Sequence, residues 1–112
     1  MSIRKERLAD QIRDLIAQCF AGGQLDDPRV KGATITHVKL SGDLQLASVY
    51  FRVYDEKTRD GVKSGLESCR GLLRRVLADH LDLRRVPQLR FFYDESVEHG
   101  AKIEQLLRQM RC

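Results

Sequence analysis

The stretch from Leu66 to Tyr93 most constrains what this chain can fold into, because it changes from a helical period to a strand within a few residues. Its first part places apolar residues on one face of a helix: Leu66, Cys69, Leu72, Leu73, Val76, Leu77 and Leu81. Pro87 cannot continue a helix, and the aromatic residues after it favour a strand. The stretch therefore predicts a helical unit, a turn and a strand in succession.

Gly71 lies inside the helical part of this stretch. A glycine in a helix interior costs about 1 kcal/mol relative to alanine. Its presence is typical of a kink, of a break between two helices, or of a close approach of the backbone to a ligand. We therefore expect two helices joined at Gly71, beginning near Arg59 and ending at Leu81.

The remaining residues predict further helices and strands around this unit. The spacing of apolar residues, and the glycines, prolines and acidic turns that interrupt it, predict a helix over 2–20, strands over 30–40, 44–54 and 86–93, and a last helix over 96–110. The first two strands are joined by the short turn at 41–43 and should form an antiparallel hairpin. On the first strand, strict alternation places Thr36 on the same face as Val38. No linker divides the chain, so we expect a single α+β domain over residues 1–112.

Composition narrows the class of protein. With 42% apolar and 32% charged residues, the chain should be globular, because a disordered chain has fewer apolar residues. The net charge of +4 is compatible with a polyanionic partner without demanding one. Three widely spaced cysteines match no zinc motif and suit a reducing compartment. No secretory signal or membrane-spanning run is present, so we expect a cytoplasmic protein without a membrane partner.

A group of arginines is the best candidate for a functional binding site. Arg70, Arg74 and Arg75 share a helix face, and Arg84 and Arg85 follow in the turn before the last strand. From residue 66 to residue 92 there are six arginines against three acidic residues, a local excess of three positive charges. Arginine binds phosphate bidentately and stacks on bases, which favours an RNA partner. A solvent-exposed helix whose arginines pair with nearby acids remains an alternative.

Two further basic residues, Arg29 and Lys31, precede the first predicted strand. They could extend the arginine surface, or they could be ordinary loop charges. Which of these holds depends on the tertiary structure.

Catalytic chemistry has little support in the sequence. Asp94, Glu95, Glu98 and His99 cluster after the last strand, but acids there also suit the start of a helix. No nucleophile motif, phosphate-binding loop or metalloprotease motif occurs. We therefore expect no enzyme activity, no catalytic residue, no metal and no cofactor.

Several short motifs, spread over nearly the whole chain, resemble the ribosome-binding factor A family. The motifs are Arg7-Leu8-Ala9, Asp27-Pro28-Arg29, Ser41-Gly42-Asp43-Leu44, Val49-Tyr50-Phe51 and the run from Arg84 to Asp94. The last run is the most specific of them. The resemblance implies a type II KH-like fold, with helices covering one face of a three-stranded sheet and an extra C-terminal helix over 96–112. It also implies an interrupted helix at Cys69-Arg70-Gly71 in place of the GxxG loop of other KH domains. Cys69 stands where the family usually has alanine.

The resemblance further implies a ribosome assembly factor. Such a protein would bind the small (30S) ribosomal subunit and its 16S rRNA during late maturation and rRNA processing, including at low temperature. It would act by binding, as a monomer, with a functional link to an assembly GTPase. The expected RNA-binding residues are Arg29, Lys31, Arg70, Gly71, Arg74, Arg75, Arg84 and Arg85. The alternative is a basic protein-interaction module that docks on an acidic protein surface.

Overall fold

The computed structural model describes residues 3–21 and 28–95. In this part of the chain, three α-helices and three strands follow the predicted order, with short 3-10 turns at Pro28–Val30 and Glu56–Thr58. The elements are α1 Ile3–Ala21, β1 Ala33–Leu40, β2 Leu46–Val53, α2 Arg59–Ser68, α3 Arg70–His80 and β3 Gln88–Tyr93. The predicted α+β fold is confirmed. The predicted helix over 96–110 lies outside the described residues.

The sheet has the strand order β1-β2-β3. The hairpin strands β1 and β2 pair antiparallel, with Val38 opposite Val49. Strand β3 pairs parallel to β2, with Phe91 beside Val49. A parallel pair needs a long crossover, which α2 and α3 provide. Among the described strands, β3 therefore lies at one edge of the sheet, next to the two crossover helices.

One face of the sheet packs against the helices and forms the core. The largest fully buried side chains include Ile12, Ile16, Val49, Phe51, Leu66, Leu73, Leu77 and Leu89. Burial also raises the pKa of the Cys19 thiol, in keeping with the use of a buried cysteine as a small apolar residue. The predicted helical stripe is confirmed at its buried centre, but Leu72 is 38% exposed and lies at its margin.

The alternation predicted for β1 is wrong in its middle. The register with β2 shifts between Ile35 and His37, and Ile35 and Val38 are both buried although they are three residues apart. Thr36 is the extra residue of this bulge, and its hydroxyl donates to the buried carboxylate of Asp94 over 2.6 Å. The strand also begins at Ala33 and not at residue 30, because residues 28–30 form the 3-10 turn.

The break between α2 and α3 lies at Cys69, within the Cys69-Arg70-Gly71 interruption that the family resemblance implies and two residues before the position expected from Gly71 alone. The Cys69 N–H donates to the carbonyl oxygens of both Gly65 and Leu66 at 3.1 Å, which tightens and ends α2. Its backbone angles, φ −88° and ψ 3°, lie in the bridge region at negative φ, where a glycine is not required. Gly71 lies in the first turn of α3, where an added Cβ would meet no atom within 4 Å. The fold therefore does not require a glycine at position 71.

We expect Gly71→Ala to raise the free energy of unfolding by up to about 1 kcal/mol, because alanine favours the helix and meets no steric obstacle. Urea denaturation measures the change. Gly32→Ala is the matched control, since Gly32 has φ +87° and alanine there should lower stability. A loss of stability in Gly71→Ala would contradict this account of the break.

Candidate nucleic-acid interface

A groove runs between the crossover helices and the edge strand β3; we call it the helix groove. Its charged lining residues are Lys63, Glu67, Arg70, Arg74 and Arg90. The first four recur at spacings of four, three and four residues across the break at Cys69, so one stripe of α2 and α3 supplies them. Arg90 comes from β3, where the buried neighbours Leu89 and Phe91 leave it pointing away from the core.

A second groove, the turn groove, lies between the β1–β2 turn and the segment that leads into β3. Arg74, Arg84, Arg85 and Arg90 supply its positive charge. Since Arg74 and Arg90 line both grooves, the two grooves join into one basic surface. We define the basic surface as Lys63, Arg70, Arg74, Arg84, Arg85 and Arg90.

These side chains are exposed, and few of them are held by carboxylates. The Arg70 guanidinium lies 4.0 Å from the Glu67 carboxylate, at the limit of an ion pair. The Arg74 Nη2 donates to the Val86 carbonyl oxygen at 3.2 Å, which ties α3 to the segment before β3. Within residues 3–21 and 28–95, no ion pair engages the other members. The alternative to RNA binding was that these arginines pair with nearby acids. In the described residues, Arg70 is the member of the basic surface for which such a pair is seen.

Three predicted site residues lie apart from the basic surface. Arg75 is exposed on α3 but lines neither groove. Arg29 and Lys31 also line neither, and the Arg29 Nη2 donates to the Ser68 hydroxyl at 3.3 Å, at the end of α2. The structure thus brings together Arg70, Arg74, Arg84 and Arg85, with Gly71 beside them on α3. Their role in binding RNA stays a prediction.

Sequence reasoning missed two members of the basic surface, Lys63 and Arg90. Lys63 lies seven residues before Arg70, a spacing that returns to the same helix face and could have identified it. Arg90 was recognisable as outward-pointing from the alternation of β3. Its position beside the helices depends on the strand order, which the alternation does not reveal.

The turn that borders the turn groove is held by a small hydrogen-bond network. The Ser41 hydroxyl donates to the Asp43 carboxylate at 2.7 Å, and the Gln45 N–H donates to the same oxygen at 3.1 Å. The hydrogen bond from Ser41, with that from Gln45, lowers the pKa of Asp43 below its ordinary value. Leu44 has φ +61° and is 41% exposed, so the turn presents an apolar side chain to the groove.

Because the pKa of Asp43 is lower in the folded state, its ionised form stabilises the fold above the unfolded-state pKa. This contribution should disappear as the pH falls through the folded-state pKa. We therefore expect Asp43→Asn to be less stable than the parent at neutral pH, with the difference shrinking as the solution is acidified. Urea denaturation at a series of pH values measures it. Ser41→Ala, which removes the main donor, should show the same trend, and a constant difference at all pH values would contradict the assignment.

No α-helix in the described ranges, 3–21 and 28–95, is both long and apolar enough to cross a membrane. Nor do three or more His, Cys, Asp or Glu side chains gather there in an arrangement that could hold a metal ion.

Known proteins are similar in sequence to this chain over almost its full length. Residues 4–107 match the family described as "Ribosome-binding factor A". The chain is 40% identical over 111 residues to a protein of that name from Macrococcus caseolyticus, covering 98% of this chain and 96% of the relative. It is 45% identical over 109 residues to the one from Streptococcus mutans, covering 96% of this chain and 93% of the relative.

Solved structures that carry the same family name are also similar to this chain. The solution structure of a putative ribosome-binding factor A from Thermotoga maritima is 31% identical, with a TM-score of 0.74, and the match covers 86% of this chain and 92% of that one. The crystal structure of ribosome-binding factor A from Thermus thermophilus is 30% identical with a TM-score of 0.69, covering 80% and 94%. These structures share the overall arrangement of helices and sheet described above. The chain belongs to the ribosome-binding factor A family.

Proposed function

We propose that this protein is a ribosome assembly factor that binds the small ribosomal subunit through its basic surface. The observation that carries the proposal is the joining of two arginine-lined grooves by Arg74 and Arg90. A homology model of ribosome-binding factor A from Thermus thermophilus, 29% identical with a TM-score of 0.67, has been fitted into a cryo-EM map of its complex with the 30S subunit. Membership of the same family supports the same partner for this chain.

The physical basis of binding is phosphate neutralisation. Guanidinium groups pair with two phosphate oxygens at once, and five of the six residues of the basic surface are arginines. Each neutralised phosphate releases condensed counterions, so that affinity falls as salt rises. The buried leucines of α2 and α3 hold the helices against the sheet and so keep the arginines at fixed spacing. Positioning on RNA needs no chemical step, and we infer that the protein acts by binding alone.

The family resemblance also implies when and how the protein would act on the small subunit. The protein would contact 16S rRNA during late maturation of the subunit and aid its processing, including growth at low temperature. It would act as a cytoplasmic monomer, and an assembly GTPase would promote its release. The basic surface supports the RNA contact; the timing and the release follow from the resemblance.

Sedimentation of the purified protein with ribosomal particles tests the proposal. We expect it to travel with free small subunits and to be largely absent from mature ribosomes, with binding that weakens as salt is raised. A second measurement tests binding of the protein to isolated 16S rRNA. Binding that persists without ribosomal proteins supports RNA contact, whereas binding only to complete subunits favours the alternative of an acidic protein surface. No association with either particle or RNA would overturn the proposal.

A further inference from the structure

The sheet face that points away from the helices carries a row of three aromatic rings. His37, Tyr50 and Phe92 are neighbours across β1, β2 and β3. The rings of His37 and Tyr50 stack with centroids 4.2 Å apart and planes 10° apart. Those of Tyr50 and Phe92 lie 5.7 Å apart and are tilted by 33°. We call these three side chains the aromatic row.

The two end rings of the aromatic row are exposed to solvent, and Tyr50 between them is half-buried. Phe92 is 40% exposed, and the side chain of His37 is 51% exposed. In contrast, Phe51 and Phe91, which follow and precede these residues on the opposite sheet face, are buried in the core. Exposed aromatic side chains that adjoin one another mark binding surfaces in soluble proteins. The row therefore leaves aromatic surface exposed at His37 and Phe92 that the fold itself does not use for its core.

The neighbouring row of the sheet supplies positive charge. Lys39, Ser48 and Arg90 are cross-strand partners, and each lies two residues from a member of the aromatic row. The carboxylate of Asp94 lies 3.7 Å from the Nδ1 atom of His37. Asp94 is only 7% exposed, and its carboxylate accepts a hydrogen bond from the Thr36 hydroxyl at 2.6 Å. Tyr50 and Phe92 also line a cleft in which three acidic residues are matched by three basic ones: Glu56, Asp60 and Glu95 against Lys57, Arg59 and Lys63. Lys39 and Arg90 therefore add net positive charge beside exposed rings, which complements a ligand that carries both phosphates and flat bases.

We infer that this sheet face binds unpaired nucleotides of a single RNA strand. Bases would stack on Phe92 and His37, the exposed rings at the two ends of the row, while Arg90 and Lys39 neutralise the phosphates beside them. Arg90 also belongs to the basic surface, so a strand lying in the grooves can continue over the edge strand β3 onto the aromatic row. Bases inside a duplex are stacked on each other and cannot use these rings. The inference rests on the proposed function in taking RNA as the ligand.

Fluorescence anisotropy with two labelled RNAs tests the inference, using a single-stranded oligonucleotide without self-pairing and a fully paired hairpin of equal charge. We expect Phe92→Leu to weaken binding of the single strand roughly 5- to 100-fold, because stacking of a base is lost. Binding of the hairpin should change by less than about twofold, since it relies on phosphate contacts. Phe92→Tyr should retain the affinity of the parent. Tyr54→Leu is the matched control, because Tyr54 is 99% exposed beyond the end of β2.

The outcomes separate this inference from the proposed function. Equal losses for both RNAs, or no loss for the single strand, would overturn the inference. So would a parent protein that sediments with small subunits but does not bind the single strand, and in that case the proposed function would stand. Conversely, selective loss of single-strand binding in Phe92→Leu supports the inference even if sedimentation with small subunits fails.

Discussion

The double variant Arg74→Ala with Arg90→Ala should lose roughly 10- to 100-fold in affinity for small subunits at low salt, since two charge-assisted contacts are removed. These two arginines join the helix groove to the turn groove. If both contact phosphate, the slope of log affinity against log salt should become shallower by about two. Filter binding or sedimentation over a range of salt concentrations measures both quantities.

Arg75→Ala is the matched control for this prediction, because Arg75 is an exposed arginine of the same helix that lines neither groove. It should keep the affinity and the salt slope of the parent. Arg74 also donates to the Val86 carbonyl oxygen, so thermal unfolding of the double variant must confirm that it is folded. An unchanged slope in the folded double variant, or an equal loss in Arg75→Ala, would remove the basic surface from the binding site.

Leu73→Ala should lower the free energy of unfolding by about 2–5 kcal/mol, because it leaves a cavity in a close-packed core. Leu73 is fully buried on α3, directly before Arg74 in the chain. Urea denaturation gives the size of the loss. Because α3 carries Arg70 and Arg74 of the basic surface, we also expect weaker RNA binding at temperatures where this variant begins to unfold.

Leu72→Ala makes the same chemical change one residue earlier, at a position that is 38% exposed. Its cost should be less than about 1 kcal/mol, since little apolar surface returns to water. Similar losses in the two variants would contradict the packing of α3 against the sheet.

Local pattern was sufficient to predict the α-helices and strands that form within residues 3–21 and 28–95. The 3.6-residue period identified the helices, and Pro87 with the aromatic residues after it identified β3. The position of the helix break was predicted less well, because Gly71 is a strong local signal that the fold does not use. At Cys69 a hydrogen bond to Leu66, three residues back, is added to the helical one to Gly65, and no residue type marks such a bond in advance.

The sequence by itself identified four of the six members of the basic surface, since the arginines at 70, 74, 84 and 85 follow from helix periodicity and from the turn before β3. Only the tertiary structure decided that Arg90 joins them and that Arg75 does not. The reason is that the parallel pairing of β3 with β2 places residue 90 beside helices that precede it by about twenty residues, and such pairing depends on how the whole sheet packs. In the same way, His37, Tyr50 and Phe92 become neighbours only through the register of three strands.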